Sequence, residues 1–305
     1  MRETLVANRD RSPINLDANI TFAQVPGWLG RTTRGLKLSV LYPEVSEGPL
    51  PCLVWFCGGG WMDCDCNVHL PNLVDIARAG YVVASAEYRD SNKASFPAPL
   101  QDAKAAIRFL RANASRWGID PDRIAVAGES AGGHQASLLG LTGGVAEYDV
   151  GAYLDQSSAV SAVIDMYGVV SPLTAKRDNA SHAFDFVYRN LLGAEPEDAP
   201  DLVAAANPET YIGHAAETGR KKPSFLIIHG TEDAVVPPAD SDRFYRKLEE
   251  AGIDATLLEL QGGTHLDQAV WSPEVVMRMV TFLDRALHKE EKGEGATDEG
   301  EGASE

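Results

Sequence analysis

Residues 123–133 read RIAVAGESAGG: a short apolar strand, a Gly-x-Ser-x-Gly turn and the start of a helix built from small side chains. A serine alcohol is a weak nucleophile and must be presented to a base. A sharp strand-to-helix turn does this by lifting the Ser130 hydroxyl above the sheet, and the glycines on either side permit the tight backbone. The helix that begins beside Ser130 contributes free N–H groups and a dipole that favour developing negative charge. The five-residue motif also arises by chance, so its surroundings decide its meaning.

Working outward, short apolar runs alternate with helical periodicity. Strands are predicted at 36–42, 51–57, 81–87, 123–127, 159–167, 223–229 and 255–260. Helices are predicted over 71–79, 97–117, from about 131, and over 239–251 and 273–287. Continuous apolar strands alternating with amphipathic helices indicate an α/β fold, a doubly wound and mostly parallel sheet of about eight strands covered on both faces. No repeat or linker divides residues 1–288, which are expected to form one domain. The stretch 171–222 breaks the rhythm and carries Phe184, Phe186, Tyr188 and Tyr211 among turn formers. An insertion of that length is usually functional or helical in its own right, and a small lid over the active site is expected.

A second motif, Cys57-Gly58-Gly59-Gly60-Trp61, directly follows the run at 51–56. In acyl transfer the carbonyl oxygen becomes an anion that backbone N–H groups about 3 Å away stabilise, and glycines let the backbone approach that closely. The expected donors are the N–H groups of Gly59 and Gly60, with that of Ala131 just after the nucleophile. Trp61, beside this loop, is a candidate for bordering the substrate pocket, with plain packing as the alternative.

Together these residues resemble the α/β-hydrolase carboxylesterases that carry an HGGGW oxyanion motif, in the branch that includes bacterial feruloyl-esterase-like enzymes. The similarity runs from about residue 50 to His265 and is densest over 81–134, including YVVASAEYR and FPAPLQDAKAAIRFLRANASRWGIDPDRIAVAGESAGGH. The chain departs from the family at Cys57, where a histidine usually supports the loop. That departure bears on how the loop is anchored more than on its backbone donors.

The fold orders its triad as nucleophile, acid, base. Of seven histidines, only His265, in Gly262-Gly263-Thr264-His265, lies in a loop after the final strand, where the resemblance places the base. His134 falls one helical turn past Ser130 and reads as structural, and His229, ending a strand, reads as a support for the acid loop. In 229–237, HGTEDAVVP, the family pattern puts the acid on Asp233, with Glu232 as the local rival. His265 would take the Ser130 proton and pass it to the leaving alcohol, while Asp233 fixes the imidazole tautomer. Arg89 and Asp102 read as structural.

Composition narrows the partners. The formal net charge is −17, with seven acidic and two basic residues in 289–305 alone. That Gly- and Glu-rich segment lacks the apolar surface to offset ordering and is read as a disordered tail. An acidic surface repels polyanions, so nucleic acid and anionic membranes are not expected as partners. The first 17 residues carry no apolar signal core, and no stretch approaches 18 apolar residues, so the expected location is the cytoplasm. All four cysteines lie between positions 52 and 66. The spacing of Cys64, Cys66 and His69 departs from common zinc patterns, so free thiols are expected, with no metal and no cofactor.

The expected activity is hydrolysis of carboxylic esters, short-chain or aryl and cinnamoyl, through an acyl-enzyme on a small-molecule substrate. The chain has no room before the first motif for a large cap or propeller, which argues against peptidase chemistry, and a serine in place of aspartate argues against epoxide hydrolysis. An arylformamidase-type amide hydrolase uses the same triad and stays open. So does a non-catalytic ligand receptor on this fold, which retention of Ser130, Asp233 and His265 disfavours.

Overall fold

A computed structural model describes residues 3–4, 13–27, 30–178, 182–217 and 222–287. The acidic segment 289–305 and most of the N-terminal stretch lie outside these residues. The chain opens with β1 (Ile14–Pro26), β2 (Thr33–Pro43), β3 (Leu50–Phe56), α1 (Leu70–Arg78) and β4 (Val82–Ala86). It continues through α2 (Ala98–Ala112), α3 (Ala114–Trp117), β5 (Ile119–Glu129), α4 (Ala131–Leu141) and β6 (Ala162–Met166). Four short helices follow, α5 (Pro172–Asp178), α6 (Phe186–Leu192), α7 (Pro200–Ala205) and α8 (Ile212–Glu217). The last elements are β7 (Ser224–Gly230), α9 (Pro238–Glu250), β8 (Ala255–Leu260) and α10 (Pro273–Leu287).

The eight strands form one sheet in the order β1-β2-β4-β3-β5-β6-β7-β8. The β1–β2 and β2–β4 pairs are antiparallel and every other pair is parallel. Parallel strands buried on both faces must be apolar at every position, and β3, β4 and β6 are buried almost without interruption. Alternate residues serve opposite faces. Val54, Val126, Val163 and Ile227 pack with α2, α4 and α9, while Leu53, Ala125, Ile164 and Ile228 pack with α1 and α10.

The structure adds one strand to those expected from the sequence and corrects one helix. The strand β1 carries no readable alternation, because it is an edge strand whose register shifts between Asp17 and Ile20 and again between Thr21 and Ala23. Each shift flips the side chains that follow to the other face, which erases a period of two. The helix expected over 97–117 breaks at Asn113, whose Nδ2 donates to the Phe109 carbonyl at 2.8 Å. One further turn, α3, then ends on Gly118 in the left-handed region.

The strand order places the site. The chain leaves β3 to build β4 on one side and returns to build β5 on the other, so β3 and β5 are neighbours with Phe56 opposite Gly128. The crevice beyond the carboxyl ends of such strands is where open α/β sheets bind ligands.

Candidate active site

Ser130 sits in the turn between β5 and α4 with φ 49° and ψ −118°. A non-glycine residue held at positive φ stores strain, of order 1–3 kcal/mol, and persists only where its surroundings enforce it. Here the enforcement is close packing. A side chain on Gly132 would strike the Phe56 carbonyl, and one on Gly128 would strike that of Gly132. The Ser130 N–H is fixed by the Met166 carbonyl of β6 at 2.8 Å.

The three residues assigned from the sequence converge. His265 Nε2 is 3.1 Å from Ser130 Oγ, and His265 Nδ1 is 2.7 Å from Asp233 Oδ2, across 135 and 32 positions of chain. The second Asp233 oxygen accepts the backbone N–H groups of Val235 and Val236 at 2.8 and 2.9 Å. Burial alone would raise this carboxyl. Hydrogen bonds from His229 and His265, the charge of His265 and the Val236 N–H outweigh it and hold Asp233 well below the ordinary carboxylate range. His229 supports the acid as its position suggests, with Nε2 3.2 Å from Asp233 Oδ2 and Nδ1 2.7 Å from Ser241 Oγ. Glu232, the sequence rival, makes neither contact. The bidentate pair of Arg89 with Asp102 braces the chain after β4 against α2.

The glycine loop lies beside the nucleophile: a Cβ built on Gly58 falls 3.2 Å from Ser130 Cβ. Gly59 and Gly60 have φ of +113° and +60°, which L side chains rarely adopt. Ala131 is the first residue of α4, so its N–H has no carbonyl partner within the helix. Of the three candidate donors, Gly59 borders the cavity that opens beside the glycine loop.

Trp61 does not border that space. It is 1% exposed, its indole N–H donates to His134 Nδ1 at 3.2 Å, and its ring meets Tyr188 of α6 edge-on. The His134 Nε2–H donates to the Ala206 carbonyl at 2.6 Å. Trp61 is thus a packing residue that joins the glycine loop to α4 and to the stretch after β6. Val187 of the same α6 lies 3.0 Å from a Cβ built on Gly60. The stretch 171–222 therefore supplies helices, one of which walls the glycine loop.

Beyond Gly58 and Gly59 opens a cavity of about 390 Å³, lined also by Cys57, His69, Glu129, Tyr167 and Trp271. A larger one of about 560 Å³ between β1 and α2 contains none of the converging residues. The spacing of residues in the sequence does not reveal the polar cluster on the wall of the smaller cavity. Glu129 is buried, with Oε1 2.6 Å from His69 Nε2 and Oε2 accepting the Tyr167 hydroxyl at 2.6 Å. The one available signal is a carboxylate directly after the apolar run 124–128. Cys57 brings its sulfur to 3.0 Å from that of Cys64. Among the described residues, no group of three or more His, Cys, Asp or Glu is arranged to hold a metal ion. None of the described helices is long and apolar enough to cross a membrane.

Comparison with known proteins agrees with this architecture. The BD-FAE family model matches residues 38–248, more than half of the chain. Esterase LipC of Mycobacterium tuberculosis is 30% identical over 73% of this chain and 54% of its own length. An AB hydrolase superfamily protein of Schizosaccharomyces pombe is 38% identical over 91% of this chain and 79% of its own length. A truncated carbohydrate esterase from gut microbiota superposes with a TM-score of 0.73 at 27% identity, covering 92% of this chain and 99% of that one. The chain spans about half the length of LipC and of esterase LipQ, 54% and 48%. The doubly wound sheet, the matched segment and these relatives place it: the chain belongs to the BD-FAE family, on the α/β-hydrolase fold.

Proposed function

We propose that the protein is a serine carboxylic ester hydrolase in which Ser130 is acylated and then freed by water. The observation that carries this reading is the unbroken line from Asp233 through His265 to Ser130. In the first half-reaction Ser130 Oγ attacks the ester carbonyl as its proton passes to His265 Nε2. The oxygen of the tetrahedral intermediate gains negative charge and is met by the N–H groups of Gly59, Gly60 and Ala131. His265 then protonates the departing alcohol. Water enters, gives a proton to the same nitrogen and attacks the acyl-enzyme, and Ser130 leaves with that proton. Asp233, held ionised, stabilises the imidazolium formed twice in each cycle.

The substrates are small: short-chain acyl esters and aryl or cinnamoyl esters. The cavity volume suits a group of that size, and the half-buried Trp271 on its wall offers aromatic surface to a ring. That LipC and LipQ are named esterases supports the same chemistry.

A fluorophosphonate probe tests the mechanism and an ester panel tests the substrate. The probe is expected to label Ser130 alone, with turnover of p-nitrophenyl acetate and butyrate and of methyl ferulate. Absence of both labelling and turnover would overturn the reading. Turnover of the p-nitrophenyl esters without methyl ferulate would remove the cinnamoyl half.

A further inference from the structure

The residue between Gly128 and Ser130 is used by none of the steps above, yet it is a buried, doubly bonded carboxylate beside them. Glu129 ends β5 buried, with its side chain 7% exposed. Oε1 accepts from His69 Nε2 and Oε2 accepts from the Tyr167 hydroxyl, while Gly58 packs against the same side chain, a Cβ built there falling 3.5 Å from Glu129 Cγ. Burial alone would raise this acid, and the His69 and Tyr167 hydrogen bonds, the His69 charge and Gly58 together hold it below its ordinary range.

Each partner leads to a working part of the site. Gly58 opens the loop that carries Gly59 and Gly60, and a Cβ built on it falls 3.1 Å from the Glu129 carbonyl oxygen. Tyr167 follows β6, is 1% exposed, and sets its ring edge-on to that of His265 at 5.0 Å. Its own backbone is held at φ 42°, and its N–H bonds the Ile228 carbonyl at 2.7 Å. His69 is clamped in turn, stacked on Trp271 at 5.4 Å and edge-on to Trp55 at 5.4 Å. The carboxylate therefore ties together the oxyanion loop, reached through Gly58, and the imidazole of the base, reached through Tyr167.

We propose that Glu129 is a positioning residue that holds the Gly58–Gly60 loop and, through Tyr167, the His265 ring in register around Ser130; this rests on the serine-esterase reading above. An ionised carboxylate accepts both bonds at once. A glutamine in its place presents one oxygen and an amide NH2, so either His69 or Tyr167 must give up its donor role and shift to accept. The error falls on the loop and the ring, which matter most in the transition state, and not on substrate capture. The signature of this role is loss of kcat at nearly constant KM.

The test uses Glu129→Gln and Tyr167→Phe, singly and together, in the full chain. Tyr167→Phe keeps the ring against His265 and deletes only the hydroxyl, so it guards against a Glu129 variant that fails to fold. Each single variant is expected to lose roughly tenfold or more in kcat on p-nitrophenyl acetate, with KM within about threefold. The rate of Ser130 phosphonylation should fall in parallel. Because both act through one network, the double variant should lose little more than the worse single one. Single variants that melt lower but keep kcat and the phosphonylation rate within twofold would overturn the proposal, as would losses in KM alone. If the unmutated protein neither turns over esters nor takes the probe, the failure belongs to the esterase reading and not to Glu129.

Discussion

His134 gives a stability prediction that can be worked through in numbers. It lies in the first turn of α4, fully buried, and burial depresses its pKa from 6.5 to about 4 despite the opposing hydrogen bond to Ala206. The bonding pattern explains why the cation is unwelcome. Nδ1 accepts the Trp61 N–H and Nε2–H donates to Ala206, so an added proton would point a donor at a donor. The folded pKa is below the unfolded one, so the unfolded chain binds more protons below pH 6.5. Stability from this site is therefore complete above about pH 6.5 and is lost progressively down to about pH 4. At 1.36 kcal/mol per unit the loss is about 2 kcal/mol at pH 5 and about 3 kcal/mol at pH 4. His134→Gln removes the titration while keeping one acceptor for Trp61 and one donor for Ala206. Carboxylates titrate in both proteins, so the informative quantity is the difference between them. Thermal melts at pH 7.5 and pH 5 should show the unmutated protein losing about 4 °C more than the variant, taking the low end of about 2 °C per kcal/mol for a chain this size. Equal losses would refute the neutral, doubly bonded His134 and with it the anchoring of Trp61 described above.

Ser130→Ala should leave the melting temperature near that of the parent, or raise it, while kcat on p-nitrophenyl acetate falls about 10⁶-fold, measured after active-site titration to exclude carry-over. Asp233→Asn should cost about 10⁴-fold in kcat through loss of the imidazole tautomer. Because the Asp233 carboxyl is depressed in the folded chain, its stabilisation is present above the unfolded carboxylate pKa of about 3.9 and fades as pH falls, so melts of the variant should show a shallower acid limb. Gly60→Ala places a Cβ 3.0 Å from Val187 Cγ1 at a φ of +60°, and it should lower kcat by about 10- to 100-fold with little change in KM on the same ester. Diamide, which takes up the two thiol hydrogens and is itself reduced, should link Cys57 to Cys64, whose sulfurs lie 3.0 Å apart. Peptide mapping without reductant would then find Cys52 and Cys66 free, whereas four free thiols would count against that proximity.

Which parts of the molecule were legible follows from how far each signal reaches along the chain. The apolar runs of β3 and β5 and the glycine turns after them are local: burial on both faces dictates the residues of β3 one by one, and a tight turn dictates Gly128 and Gly132. The convergence of Ser130, Asp233 and His265 was legible at long range only because the fold fixes the order in which such a set appears, and a loop histidine after β8 had no competitor. The helices inside 171–222 are too short for a helical period to show. Trp61 was ambiguous because its fate depends on His134, 73 residues away, and on Tyr188 of α6. Glu129 shows the same limit at the site itself. Its partners lie 60 positions before it and 38 after it, and no pattern of spacing connects them. Yet a single carboxylate closing an apolar strand carries information, since a buried charge without donors would cost several kcal/mol. Once Glu129 is seen to be buried, partners for it must exist. Only the folded chain could say that these partners are His69 and Tyr167, with Gly58 packed against the side chain, and the proposed link between His265 and the glycine loop rests on them.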